Sequence, residues 1–385
     1  MMKRTLLAGV AVLALAQPAP AQLMVSGNDA KARLVNGVTQ IVANPPADTV
    51  TIYDMASMPP RLVASVAAPN SVVGPPFSVA LTPDERLVLV TSNQRIDPAN
   101  AARTIPDNRL SVIDLGASPP AVLQTLETGA GPAGVSVNRA GTLALVANRE
   151  AGTVSVFRIR AARLEALGTV EIGPAASGVS HVAFTPDGRH ALVTRDGDFF
   201  LNVLAIEGET VTRTPRVFSA GLRPYGLVIA PDGRFAAVAN IGRGNGDEDT
   251  VSLIDLSGPP ATWRTVHTLT VGQTPEGLQL SPDGRLLAVT VMNGSNKPAN
   301  SPFLGPNLVR TYRVENLRLT PVGEAPLGAW AQGAAFSADG RTLFAQSMVE
   351  SNIRIYAVGT DGSIRESAPP IALPGGGAAL RTAER

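Results

Sequence analysis

Val182-Ala-Phe-Thr-Pro-Asp-Gly-Arg-His-Ala-Leu-Val-Thr194 is the stretch from which the fold can be read. Two short apolar runs flank Thr185-Pro186-Asp187-Gly188, where proline suits the second position of a tight turn and glycine the place that wants a positive φ. That is the chemistry of a β-hairpin. The pattern recurs around Ala230-Pro231-Asp232-Gly233 and Ser281-Pro282-Asp283-Gly284. Drifted copies run from Ser78 to Ser92, where Glu85 replaces the glycine, and from Ala334 to Ser347, where Ala338 replaces the proline; a degenerate copy runs from Val135 to Asn148.

Each hairpin is followed by an alternating run such as Thr250-Val-Ser-Leu-Ile-Asp-Leu256, and then by a fourth run such as Trp263 to Val271. Their β-branched content and period of two predict strands. The turns repeat at 45 residues from Asp187 to Asp232 and at 56 from Asp283 to Asp339. Four strands per unit at that spacing predict β-propeller blades; a β-sandwich would not repeat one turn at one place in every unit. Inner strands starting near Phe77, Ala133, Gly178, Tyr225, Gly277 and Gln332 give six blades. Leu23 to Ser26, Thr49 to Met55 and Arg61 to Ala67 read as second, third and fourth strands lacking a first, which Ala378 and its neighbours near the C-terminus would supply. The expectation is an all-β, seven-bladed propeller of four-stranded antiparallel blades, spanning 23–385 as one domain and closed by pairing of N- and C-terminal strands.

Composition agrees. With 37 Gly and 32 Pro among 385 residues, 44% of them hydrophobic, the chain is turn-rich yet too apolar for disorder. The absence of cysteine excludes disulfides, thiolate metal sites and catalytic thiols. A net charge of +1 argues against nucleic acid as a partner. Residues 1–22 read as a cleaved secretory signal: Lys3 and Arg4, an apolar run from Leu6 to Ala16, then Ala19-Pro20-Ala21. The run is shorter than the ~20 apolar residues that span a bilayer. A periplasmic or secreted monomer without a membrane span is expected.

Thr250 to Leu256 followed by Thr268-Leu-Thr-Val-Gly-Gln-Thr-Pro-Glu-Gly-Leu-Gln-Leu-Ser-Pro-Asp-Gly-Arg-Leu-Leu-Ala-Val-Thr290 resembles a repeat of the bacterial YVTN propellers, a group similar to the lactonase-like propellers. The resemblance covers nearly all of the chain after the leader. Because one propeller scaffold carries many activities, it implies the fold more strongly than the function.

Function is sought where the blades differ. The segments between second and third strands are long at Gly27 to Asp48, Asn93 to Asn108, Ile241 to Asp249 and Met292 to Asn307, and short after Asn148, Arg195 and Ser347. Long polar insertions on a rigid scaffold are common binding elements, and these are expected to wall one side of the central opening as two neighbouring pairs. The inter-blade connections bring Pro76, Phe77, Ser180, His181, Arg223, Tyr225, Glu276, Trp330 and Gln332 to the channel mouth. Phe77, Arg195, Tyr225, Asn240, Asn293, Trp330 and Gln332 are the expected contacts for a small oxygenated ligand. The lactonase resemblance implies His181 as general base or acid, Glu276 as its carboxylate counterpart and Arg223 as the binder of a substrate carboxylate. Alternatives stand beside these: His181 as a packing residue at a strand entrance, and Arg223 with Glu276 as a salt bridge between blades. His190 and His267 fall in outer strands and read as structural. Asn245, Asp247 and Asp249 alternate like oxygen ligands for Ca2+, against the alternative of a solvated acidic loop; no other cofactor is indicated. Two functions follow: a scaffold whose upper face holds a small ligand or a protein or polymer partner, or a lactone hydrolase or cycloisomerase using His181, Glu276 and Arg223.

Overall fold

The Pro-Asp-Gly turns form as their residues dictate. In the computed structural model, which describes residues 22–384, the Thr185 hydroxyl donates to Asp187 Oδ1 at 2.6 Å, and the same oxygen accepts the Arg189 N–H at 3.1 Å. Ser281 with Asp283 and Ser337 with Asp339 repeat the hydroxyl bond at 2.6 Å. Gly188, Gly233, Gly284 and Gly340 have φ between +68° and +74°, a region that glycine enters without steric cost. The signal-like segment, residues 1–22, lies outside the described residues except for Gln22.

These hairpins are the two inner strands of four-stranded antiparallel sheets, and there are seven such sheets. Blade 1 is built from Gly376–Thr382, Leu23–Asp29, Thr49–Asp54 and Arg61–Ala67, in that order from the axis outward. Its innermost strand comes from the C-terminal end of the chain and pairs with the N-terminal strand from Met24↔Thr382 to Asp29↔Gly376. The inner strands of blades 2 to 7 are Val79–Leu81, Pro132–Val137, Val179–Phe184, Pro224–Ile229, Pro275–Leu280 and Ala331–Phe336. Each packs beside the next, and Gly376–Thr382 closes the ring between blades 7 and 2. Backbone pairing thereby removes a free sheet edge. Among the described residues no helix is long and apolar enough to cross a membrane.

The core lies between blades. Leu192 and Val203 of blade 4 pack against Leu227, Ala236, Val238 and Ile254 of blade 5, and full burial of one such side chain contributes roughly 1.5–3 kcal/mol. Hydroxyl bonds add direction to this packing: Thr91, Thr194 and Thr290 each donate at 2.5 Å to a carbonyl on the next inner strand, those of Ala133, Tyr225 and Gln332.

The insertions on the upper face differ from simple loops. Gly27 to Asp48 contains a hairpin, Ala32–Val35 with Val38–Ile41, and its base is fixed by the buried Lys31, which pairs with Asp29 at 3.2 Å and Asp48 at 2.9 Å. Asn93 to Asn108 is largely strand, because Leu87–Asp97 and Asn100–Asp114 go on pairing beyond the blade as far as Asp97↔Asn100. The insertions also join. Lys297 of blade 6 donates to the Gly244 carbonyl of blade 5, the Ala299 N–H donates to Asn36 Oδ1 at 3.0 Å, and the blade 1 hairpin touches the blade 2 hairpin. Instead of two separate pairs, one arc runs over blades 5, 6, 1 and 2. Blades 3 and 4 keep only short turns, and the upper face stays open above them.

Candidate functional site

Every inner strand from blade 3 to blade 7 breaks its pairing register at the same place. In four of them the bulge holds one variable residue followed by glycine: Ala133-Gly134, Tyr225-Gly226, Glu276-Gly277 and Gln332-Gly333. The glycine is a packing requirement. A Cβ at Gly226 would lie 2.4 Å from Phe77 Cε2, and one at Gly277 would lie 2.3 Å from the Gln332 carbonyl oxygen. Just before each strand the backbone is left-handed, at Gly131, Gly178, Arg223, Thr274 and Trp330, with φ from +51° to +67°. Non-glycine residues at such angles are uncommon and gather at functional sites. This geometry turns Ser180, Tyr225, Glu276 and Gln332 of four consecutive blades to one wall at the upper end of the channel.

Blade 4 departs from the pattern, and the departure relocates His181. It stands where the other blades have glycine, so its ring enters the space between inner strands. Its Nδ1 accepts the Leu227 N–H at 3.2 Å, and its ring stacks on Phe77 with centroids 4.1 Å apart. Burial, helped by the positive Arg381, drives the imidazole far below its usual pKa and keeps it neutral. Arg381 lies over the other part of this column, 4.8 Å from the Phe77 centroid. Phe77, expected as a ligand contact, thus plugs the channel together with His181. The charge acting on His181 is Arg381, while Arg223 pairs with Asp196 and Glu276 accepts from Gln332.

The charged centre joins blades 3, 4 and 5, at the margin between the short turns of blades 3 and 4 and the insertion of blade 5. Asp196, 1% exposed, pairs with Arg149 at 2.7 Å and with Arg223 at 2.6 Å, and it accepts the Ser180 hydroxyl at 2.8 Å. Burial alone would raise this carboxyl; the two guanidiniums and the hydroxyl outweigh it and hold the pKa low. Arg149 also lies 5.6 Å from the Tyr225 ring centroid. One carboxylate therefore orients two guanidiniums from two other blades, leaving an excess positive charge in that group.

Glu276 is the counterweight. It is 8% exposed, and its Oε2 accepts Gln332 Nε2–H at 2.7 Å. Burial pushes its pKa up to about 8, against the partial opposition of Gln332 and Arg223. A carboxyl poised near neutrality within the field of Arg223 can take up and return a proton at working pH.

Other expected contacts lie elsewhere. Arg195 donates to Asn202 Oδ1 at 2.9 Å and pairs with Asp198, inside its own blade. Asn240 directs its amide to Thr250 and Ser252 at 3.0 Å, as Asn148 does to Thr153 and Ser155 at 2.9 Å. These side chains fasten second strands to third strands. Asn293 donates to the Pro306 carbonyl at 3.0 Å and closes the blade 6 insertion. The Trp330 N–H donates to Ser295 at 3.0 Å, tying blade 7 to that insertion. His190 packs edge-on against Trp263 at 5.4 Å. Asp249 is buried and accepts the Thr274 N–H at 2.8 Å, whereas Asn245 and Asp247 are exposed. Among the described residues no group of three His, Asp or Glu is placed to hold a metal.

Arg149 and Asp196 carry no motif. Each directly follows the last residue of a second strand, and comparing that position across blades is the signal that finds them. A concavity of about 1490 Å³ lies on the lower face among the Pro-Asp-Gly turns, where Asp232, Asp283 and Asp339 are already held by bonds within their own turns.

Comparison with known proteins agrees with this architecture. No family model matches the chain, and no curated protein matches it in sequence. Among solved structures, a candidate 6-phosphogluconolactonase from Bacteroides fragilis superposes with a TM-score of 0.72 at 18% identity, covering 95% of this chain and 99% of that one. A second candidate, from Bacteroides uniformis, gives 0.71 at 20% identity over 94% and 100% of the two chains. The periplasmic gluconolactonase of Pseudomonas aeruginosa gives 0.69 at 19% identity over 94% and 99%. At these identities the likeness establishes the fold: the chain is a seven-bladed propeller of the shape shared by 6-phosphogluconolactonase-like proteins.

Proposed function

We propose that the upper channel mouth is the active site of a lactone hydrolase, with Glu276 as general acid and base and Arg149 and Arg223 as the anion-binding pair. The observation that carries this reading is a buried carboxyl raised to about 8 within the field of Arg223, a guanidinium that shares one buried aspartate with Arg149. The activities named for the gluconolactonase-type neighbours support it.

The chemistry balances on these groups. Ionised Glu276 takes a proton from water as the water oxygen attacks the lactone carbonyl. The oxyanion that forms is stabilised by the neighbouring guanidiniums. Glu276 then returns the proton to the ring oxygen as the carbon–oxygen bond breaks, giving a hydroxy acid that releases its carboxyl proton to solvent and whose carboxylate then pairs with Arg149 and Arg223. His181 takes no proton in this scheme; with Phe77 it forms an apolar floor. The repeat-level resemblance to YVTN propellers and the leader-like residues 1–22 support an exported enzyme of this type. A scaffold that binds without turnover draws support from the insertion arc but gives Glu276 no task.

The test is hydrolysis of glucono-δ-lactone followed by base uptake at constant pH. Wild type is expected to exceed the spontaneous rate, and Glu276→Gln to lose at least about 100-fold in kcat. Turnover unchanged by that substitution would overturn the assignment.

A further inference from the structure

The channel has a lower end that the site above does not use. A cavity of about 300 Å³ opens there, lined by Val137, Phe184, Val228, Leu280 and Phe336, each no more than 6% exposed. Of the polar residues on its wall, Gln279 and Glu384 both engage Arg381. Arg381 donates to Gln279 Oε1 at 2.8 Å and pairs with the Glu384 carboxylate, while its guanidinium rests on the Phe77 ring.

A buried guanidinium needs a carboxylate. The one Arg381 has comes from a side chain 47% exposed, beyond the end of the strand Gly376–Thr382, whereas Arg381 itself is 8% exposed. Such a partner is exchangeable in a way that Asp196 is not. An incoming carboxylate would make the same ion pair and hydrogen bond, and an apolar tail behind it would fill the cavity. At roughly 30 Å³ per small liquid-packed group, the space admits about ten non-hydrogen atoms.

We infer that the lower axial cavity binds a medium-chain carboxylate, whose head replaces Glu384 on Arg381 and whose tail lies among Val137, Phe184, Val228, Leu280 and Phe336. Glu384 is then a tethered competitor. This site is independent of the lactone reading.

Isothermal titration of the full-length protein with octanoate, and with octanol as the uncharged control, tests the inference. Wild type should bind octanoate saturably. Glu384→Gln, which removes the tethered carboxylate, should tighten binding at least about 10-fold, and Arg381→Met should abolish it. Octanol should bind at least about 10-fold more weakly than octanoate to Glu384→Gln. Absence of saturable octanoate binding in both wild type and Glu384→Gln overturns the inference, as does equal affinity in the two proteins or equal affinity for octanol. If Arg381→Met fails to fold, as its melting profile would show, the wild-type and Glu384→Gln titrations decide alone.

Discussion

Gln332 donates its side-chain N–H to Glu276 Oε2 at 2.7 Å across the seam between blades 6 and 7. The bond favours the ionised carboxylate, yet burial wins and the pKa rises from 4.5 to about 8. A raised carboxyl binds its proton more tightly folded than unfolded. Its stabilising contribution is complete below pH 4.5 and is lost as pH climbs through 8. Wild type should therefore lose up to a few kcal/mol relative to Glu276→Gln between pH 5 and 8.5. Calorimetric melting of both proteins at the two pH values checks this; parallel behaviour would show that the carboxyl is not raised.

Asp196 has the opposite sign. Its depressed pKa contributes stability above the unfolded value of 3.8 that is lost as pH falls through the folded value. Asp196→Asn leaves two guanidiniums without their shared anion. Because Arg149 and Arg223 are 19% and 33% exposed, solvent softens the penalty to about 2–3 kcal/mol at pH 7. Urea unfolding should show this loss, shrinking below pH 3. In the lactone assay the same variant should raise KM as the pair loses its orientation.

The channel plug gives a double-mutant test. Gly226→Ala places a methyl 2.4 Å from Phe77 Cε2 and 3.1 Å from the Glu276 carbonyl, an overpacking that costs roughly 1–3 kcal/mol. Phe77→Leu should recover part of that loss when combined with it. Strict additivity of the two substitutions in denaturant unfolding would contradict the contact.

Ring closure depends on Gly376–Thr382. Deleting residues 376–385 strips blade 1 of its inner strand and leaves Leu23–Asp29 as an open edge. The truncated chain should melt well below wild type and form oligomers, since a long unpaired edge templates association. Sedimentation velocity reads the second effect directly.

The fold was legible because one turn chemistry recurs in frame. Thr185 to Gly188 and its copies, the degenerate one in blade 3 included, locate every inner hairpin but that of blade 1, and Ala378 with its glycine neighbours mimics the start of an inner strand closely enough to reveal the closure. The site was legible only in part. Glu276, Tyr225 and Gln332 follow from the shared position before each glycine, and Arg223 from the connection that enters the inner strand. Arg149 and Asp196 do not, because insertion length draws attention to blades 1, 2, 5 and 6, while these two stand in short turns of blades 3 and 4. His181 could not be placed from sequence either. Its neighbour Ser180 faces the wall, and only the register break at that point turns the imidazole toward Phe77. Arg381 reaches the same column from the opposite end of the chain, a meeting that depends on closure of the ring.

The most direct measurement of the central claim is the pH profile of kcat/KM for glucono-δ-lactone, corrected for spontaneous hydrolysis, in wild type and Glu276→Gln. The account predicts a limb that rises with an apparent pKa near 8 in wild type, where Glu276 ionises, and that is absent in the variant. A wild-type profile flat from pH 6 to 9, or one that the variant reproduces, would contradict it.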